Sequence, residues 1–99
     1  MPYKINQTYQ FKDWLNSVKD KKSKFRIIQR VKRMSDGNLG DVKMISNQVY
    51  EARLFFGPGF RLYYKILNHN EILLLLIGGD KSSQQKDIEI AIKLAEDYF

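Results

Sequence analysis

Val49-Tyr50-Glu51-Ala52-Arg53-Leu54-Phe55-Phe56, a Gly57-Pro58-Gly59 break, then Phe60-Arg61-Leu62-Tyr63-Tyr64-Lys65-Ile66: this stretch decides the fold of the chain. Tyr50, Ala52, Leu54 and Phe56 alternate with more polar residues before the break, and Phe60, Leu62, Tyr64 and Ile66 do so after it. A period of two sends successive side chains to opposite faces of a strand, so each segment reads as a strand with one apolar face. Gly and Pro supply the turn, and the two strands become an antiparallel hairpin. With Gly57-Pro58-Gly59 as the whole loop, Phe55 stands opposite Arg61 and Arg53 opposite Tyr63. Arg53, Arg61 and Tyr63 then share the face opposite the apolar positions. A slip of one residue would part them, and an ordinary solvated sheet face accounts for the same residues without any function.

Beyond the hairpin, Asn68-His69-Asn70 reads as a turn. Ile72 to Ile77 is apolar at every position, which suits a central strand covered on both faces, with Gly78-Gly79 ending it. That strand returns antiparallel, so its end lies near Phe60 and Arg61, and Lys81 can swing toward the same patch. Ser82-Ser83-Gln84-Gln85 carries a capping-box pattern whose free N–H groups favour anions. Ile88, Ala91, Ile92, Ala95 and Tyr98 form the stripe of a last helix. On the N-terminal side, Val42 to Ile45 reads as a strand and Ser46-Asn47-Gln48 as a turn. A helix over about Ser23 to Ser35 shows a stripe of Phe25, Ile28, Val31 and Met34, with Arg26, Arg30 and Arg33 on other faces, and Asp36-Gly37-Asn38 stops it. Thr8 is placed to cap an earlier helix carrying Phe11, Trp14, Leu15 and Val18. The break at Lys19 to Lys22 makes an α-hairpin, and Tyr3 to Gln7 reads as a short first strand. The expectation is a single α+β domain over 1–99, β-α-α-β-β-β-α, with an antiparallel-rich sheet packed against an N-terminal α-hairpin and a C-terminal helix.

Composition narrows the chemistry. The 99 residues are 43% hydrophobic and 13% aromatic, enough for one core without staples. Cysteine is absent from the sequence, which excludes disulfides, zinc–thiolate sites and thiol nucleophiles. The N-terminus shows no apolar signal core, and the longest apolar run is too short for a bilayer, so a soluble cytoplasmic protein without membrane contact is expected. A net charge of +6 and a pI near 9.6 favour an anionic partner. Lys19, Lys21, Lys22, Lys24, Arg26, Arg30, Lys32 and Arg33 crowd one stretch, although a solvated helix face explains a basic helix equally well. His69, the single histidine, sits in a turn. Asp13, Asp20, Asp36 and Asp41 scatter, so neither a histidine triad nor a metal site is expected, and no cofactor. A Walker-type phosphate loop is missing too. Metal-free cleavage of RNA stays open, because RNA carries its own 2′-OH nucleophile. The protein then has to align it, move protons and neutralise the transition state. Arginine suits the last role, and tyrosine or lysine could move protons only with a pKa shifted toward neutrality.

Three ordered motifs resemble the HigB-like killer proteins of the RelE/ParE superfamily of toxins. Gly37-Asn38-Leu39-Gly40-Asp41-Val42-Lys43 looks like their G-N-x-G-D-x-K segment. Val49-Tyr50-Glu51-Ala52-Arg53 with Gly57-Pro58-Gly59-Phe60-Arg61-Leu62-Tyr63-Tyr64 looks like V-Y-E-x-R and G-P-G-Y-R-x-Y-Y, with Phe60 for a common tyrosine and Ala52 for a common leucine. Leu74-Leu75-Leu76-Ile77-Gly78-Gly79-Asp80-Lys81-Ser82-Ser83-Gln84, then Asp87-Ile88, looks like L-L-x-G-G-D-K-S-[ST]-Q and D-I. The resemblance implies a RelE-like fold. It also implies a toxin that cleaves mRNA on the ribosome and is neutralised by a cognate helix-turn-helix antitoxin. The family's catalytic basic residues fall on Arg53, Arg61 and Lys81. Lys43 and Glu51 are nearby candidates, and Arg26, Arg30 and Arg33 would grip RNA. A C-terminal tyrosine that some relatives use as acid or base has no secure match, since Tyr98 falls in a core stripe; Tyr63 takes that place. ParE-type members of the superfamily poison DNA gyrase on the same fold, and an inactive remnant that only binds antitoxin is a further alternative.

Overall fold

In the computed structural model, which describes residues 2–98, the chain runs β1 (Lys4–Gln7), α1 (Tyr9–Ser17), α2 (Lys21–Ser35), β2 (Val42–Ser46), β3 (Val49–Arg53), β4 (Phe60–Leu67) and β5 (Ile72–Asp80). A 3-10 turn at Lys81–Ser83 then leads into α3 (Gln84–Ala95). The order is β-α-α-β-β-β-β-α, one strand more than the expected β-α-α-β-β-β-α string counts. The strands form one five-stranded sheet in the order β1-β5-β4-β3-β2, antiparallel except for the β1–β5 pair. Helices cover both faces. Phe11, Ile27 and Met34 of α1 and α2 pack on Ala52, Leu62, Tyr64, Leu73 and Leu75, while Ala91 and Ala95 of α3 pack on Val49, Tyr63, Leu74 and Leu76. β5 therefore faces a core on each side, as its unbroken apolar run requires.

Local chemistry sets the helix ends. The Thr8 hydroxyl oxygen accepts the Phe11 N–H at 3.0 Å and donates to the Leu76 carbonyl at 2.6 Å, which caps α1 and ties it to β5. The Asp20 carboxylate accepts from the Ser23 N–H at 3.3 Å and the Ser23 hydroxyl at 2.6 Å, opening α2. Lys65 Nζ donates to the Ala95 and Tyr98 carbonyls at 3.1 and 2.6 Å, fastening the end of α3 to β4. At the other end of α3, Gly78 and Gly79 admit close approach from opposite faces. A Cβ on Gly78 would lie 2.2 Å from the Trp14 ring of α1, and one on Gly79 would lie 1.8 Å from Asp87 Oδ2 of α3.

β5 runs on through Gly78 and Gly79, paired with Leu62 and Arg61, to Asp80 instead of ending at the glycines, and the structure corrects the reading in three further places. β3 ends at Arg53 rather than Phe56, because Leu54 N–H closes on the Phe60 carbonyl at 3.0 Å and the chain then bends through residues 54–59. Arg53 consequently pairs with Arg61, and Glu51 with Tyr63. The shift is an even number of residues, so the face assignments survive it. In α2 the buried positions are Ser23, Ile27, Arg30 and Met34, while Phe25 and Ile28 are 60% and 48% exposed. Both sets have helical spacing; the bonds of Arg30, described below, select the inward one. The capping box before α3 uses Asp80 and Ser83 rather than Ser82 and Gln85. Asp80 Oδ1 accepts the Ser82 N–H at 2.8 Å, and the Ser83 hydroxyl turns to Asp87.

Candidate active site

Alternation along β3 and β4 puts Glu51, Arg53, Arg61 and Tyr63 on the face that α3 covers. The helix seals the middle of that face and leaves the end nearest the 54–59 loop open. Glu51 is fully buried there. Its Oε1 lies 3.7 Å from Arg61 Nη1, and its Oε2 accepts from Gln84 Nε2 at 2.9 Å, in the first turn of α3. A buried carboxylate is tolerable when it is paired, and this pairing holds the Arg61 guanidinium in place with 13% of its side chain exposed. Arg61 and Lys81 line one open depression of about 450 Å³ together with residues 54–59 of the loop. Lys81 is exposed where β5 passes into the 3-10 turn.

A second depression of about 460 Å³ adjoins the first across Leu54, Phe55 and Phe56, and Arg26, Arg33 and Arg53 line it. Arg53 Nε lies 3.0 Å from Asp41 Oδ2, and its Nη2 donates to Asp41 Oδ1 at 3.1 Å, with 37% of each side chain exposed. The Arg26 guanidinium sits 4.2 Å over the Phe56 ring, a cation–π contact that aims it along the groove. Arg53, Arg61 and Lys81 thus meet at one end of the sheet, but in two adjoining depressions rather than one. Lys43 is exposed on β2 opposite Glu51 and lines neither depression.

Two expected site residues have other roles. Arg30 is 7% exposed, and its guanidinium is spent on backbone. Nε and Nη2 donate to the Leu39 carbonyl at 3.1 and 2.8 Å, Nη2 also to that of Asp41 at 3.0 Å, and Nη1 to that of Arg53 at 2.9 Å. Gly40, with φ +73°, passes so close that a Cβ would lie 2.8 Å from Arg30 Cζ. Burial lowers the pKa of Arg30, with Arg33 adding to the effect. This residue pins the segment leading into β2 to the end of β3 and has no free donor fork for RNA. Tyr63 is 0% exposed, and its hydroxyl has no hydrogen-bond partner among the described residues. Burial first, and the negative charge of Glu51 second, raise its pKa well above the ordinary tyrosine value. The hydroxyl thus holds its proton under α3, away from the open end of the site where Arg61 and Lys81 lie.

Sequence reasoning missed the Asp41–Arg53 pair, the Gln84–Glu51 bond and the 79% exposure of Phe55. Glu51 between Tyr50 and Ala52, on the same face as Arg61, was the available signal for a buried pair. His69 lies in its turn with φ 55°, and Tyr98 packs partly into the α3 core. Among the described residues, no group of three or more His, Cys, Asp or Glu is placed to hold a metal ion, and no helix is long and apolar enough to cross a membrane.

A β-α-α-β-β-β-β-α chain folded this way has the fold of the RelE toxins. The E. coli toxin RelE in the free state, solved as a mutant, superimposes with a TM-score of 0.76 over 94% of this chain and 97% of that one at 13% identity. The E. coli RelBE toxin–antitoxin complex matches at 0.61 and 13% identity over 79% of this chain and 95% of that one. The Mycobacterium tuberculosis RelBE2 toxin–antitoxin complex matches at 0.56 and 20% identity over 82% and 100%. No protein-family model matches the chain. It belongs to the same family as an uncharacterized protein of Haemophilus influenzae, 41% identical over 98 residues that cover 98% of this chain and 97% of the relative.

Proposed function

We propose that this protein is the toxin of a type II toxin–antitoxin system, of the HigB-like kind, and that it works in the cytoplasm as a metal-independent endonuclease on translated mRNA. The observation that supports the reading most is the meeting of Arg61, Lys81 and Arg53 at the open end of a RelE-like sheet. The 2′-OH of the substrate attacks the adjacent phosphorus and gives up its proton to solvent water, the P–O5′ bond breaks, and O5′ takes a proton from water, leaving a 2′,3′-cyclic phosphate and a 5′-OH. Charge accumulates on the non-bridging oxygens during that step. A guanidinium already fixed by Glu51 stabilises it without reorganising, an effect worth roughly 10²–10³ in rate for one well-placed donor. Lys81 holds that phosphate, Arg53 binds a neighbouring one in the adjoining depression, and Arg26, Arg33 and Lys43 contact the RNA backbone. The partner is a cognate helix-turn-helix antitoxin, an acidic segment of which would cover the basic end of the sheet. Two of the similar structures are toxin–antitoxin complexes.

Induction without antitoxin, followed by primer extension on mRNA, tests the reading. Translation should stop first, with discrete cuts in translated messages, and Arg61→Ala or Lys81→Ala should remove both cuts and toxicity. If both variants stay fully toxic and still cut, the assignment is wrong. Replication arrest ahead of translation would install the gyrase-poison reading, and unimpaired growth would mark an inactive remnant.

A further inference from the structure

Phe55 is 79% exposed, although its neighbours turn inward. Leu54 is buried, and Phe56 packs on Phe60 with ring centroids 5.6 Å apart beneath Arg26. A phenyl ring left in water forgoes the stabilisation its burial would give, so the fold gains nothing from this one. Its support is nonetheless firm: Leu54 N–H donates to the Phe60 carbonyl at 3.0 Å, and Gly59 N–H to the Phe56 carbonyl at 3.1 Å. The Arg53 guanidinium lies 5.8 Å from the ring centroid. Phe55 stands on the rim shared by the two depressions, with Arg26, Arg33 and Arg53 on one side and Arg61 and Lys81 on the other.

A single strand of nucleic acid alternates anionic phosphates with flat bases, and proteins that hold it combine cationic grooves with exposed aromatic rings. A duplex hides its base faces from such a ring. An apolar protein surface would use the ring and leave the flanking cations unmatched. Resting on the nuclease reading above, we infer that Phe55 is a stacking platform for one unpaired base of single-stranded RNA, with the phosphates on its two sides held by Arg26 and Arg33 and by Arg61 and Lys81. Every base has a π-face, so the platform contributes affinity and register rather than base identity. The phosphate on the Arg61 side of the stacked base is then the one delivered for cleavage.

The test titrates the full-length protein, by fluorescence anisotropy, with a labelled 2′-O-methyl oligonucleotide, which keeps bases and phosphates but has no nucleophile. An abasic backbone of the same length is the control. Phe55→Ala should weaken binding of the base-bearing strand by about tenfold or more and leave the abasic strand unchanged. Phe55→Trp should retain affinity, and Phe55→Leu should lose it as Phe55→Ala does. Thermal unfolding of all three variants should match that of the parent. Leucine binding as well as phenylalanine would mean an apolar contact and would overturn the platform. Parent-like binding by Phe55→Ala would also overturn it while leaving the nuclease reading standing. Failure of the parent to bind either strand would overturn platform and RNA reading together. A loss confined to antitoxin binding would make the ring a protein anchor instead.

Discussion

Arg30 and Arg61 sit on opposite sides of one sheet, each largely buried, and they are buried on opposite terms. Arg30, on the buried face of α2, reaches the carbonyls of Leu39, Asp41 and Arg53 at 2.8–3.1 Å, and each of its guanidinium nitrogens is bonded. Arg61, at the edge of α3, has a carboxylate at 3.7 Å, and its Nε has no hydrogen-bond partner among the described residues. The nearby Glu51 Oε1 and Tyr63 hydroxyl are likewise without one. A fully satisfied buried cation holds the backbone together. A partly paired one that also lines an open depression can take an anion there, which is the role proposed for Arg61. Burial alone does not separate the scaffold role of Arg30 from the role proposed for Arg61; the number of donors each has already committed differs.

Substitutions can break this contrast. Arg30→Ala leaves three carbonyls without their donor and should cost about 3–4 kcal/mol, lowering the melting temperature by some 15 °C or more. The protein that remains folded at low temperature should still cut mRNA. A melting temperature near that of the parent would show that the carbonyls do not depend on Arg30. Arg61→Ala should cost about 2–3 kcal/mol, because it strands the buried Glu51 carboxylate, and should abolish cleavage. Adding Glu51→Gln should return most of the stability and none of the activity; denaturant melts with parallel cleavage assays separate the two readouts.

Smaller effects follow from titration. Burial first, and Tyr50 second, raise the Tyr64 phenol to about 12 from its ordinary 10.0. Between those values the unfolded chain has lost the proton and the folded chain retains it. Stability should therefore fall as pH rises from about 10 toward 12 and stay flat below. Tyr64→Phe should lessen that fall and change neutral-pH stability by no more than about 1 kcal/mol, since the hydroxyl it removes makes no hydrogen bond among the described residues. Equal alkaline sensitivity in parent and variant would refute this. The smallest effect concerns Asp20, whose pKa is lowered chiefly by the Ser23 hydroxyl hydrogen bond. Its cap should be intact above the ordinary carboxylate range and should weaken as pH falls through the lowered value. Asp20→Asn should keep the cap without the acid-side dependence, which an acid titration of helicity would reveal.

Much of the fold was legible because its signals are local. Alternation over 49–66, the apolar run 72–77 and the stripe of α3 each determine an element from side-chain period alone. The loop after Arg53 was not, because Leu54-Phe55-Phe56 continues the strand pattern and the choice to bend depends on where Phe56 packs. The inward face of α2 was hidden for a related reason. Phe25 and Ile28 outweigh Ser23 and Arg30 in apolar character, and the carbonyls that make Arg30 an interior residue come from positions 39, 41 and 53. At the site, the convergence of Arg53, Arg61 and Lys81 followed from strand direction. The carboxylate partners of Arg53 and Arg61 and the sealing of Tyr63 beneath α3 depend on exact register and helix position, which no pattern of period two or 3.6 encodes.

Gly78 and Gly79 bring the two faces of the sheet into a single constraint. A methyl group at Gly78 would displace Trp14, and one at Gly79 would displace Asp87, so adjacent positions in the chain govern the seating of α1 and of α3. Two cores that never touch, because a sheet divides them, are in this way tuned by neighbouring letters of the sequence. Lys81 lies two residues beyond. A side chain at Gly78 pushes the Trp14 ring aside, and one at Gly79 turns the Asp87 carboxylate away beside the turn that carries Lys81. Mutational drift here would therefore be heard twice, once as looser packing and once as misplaced charge.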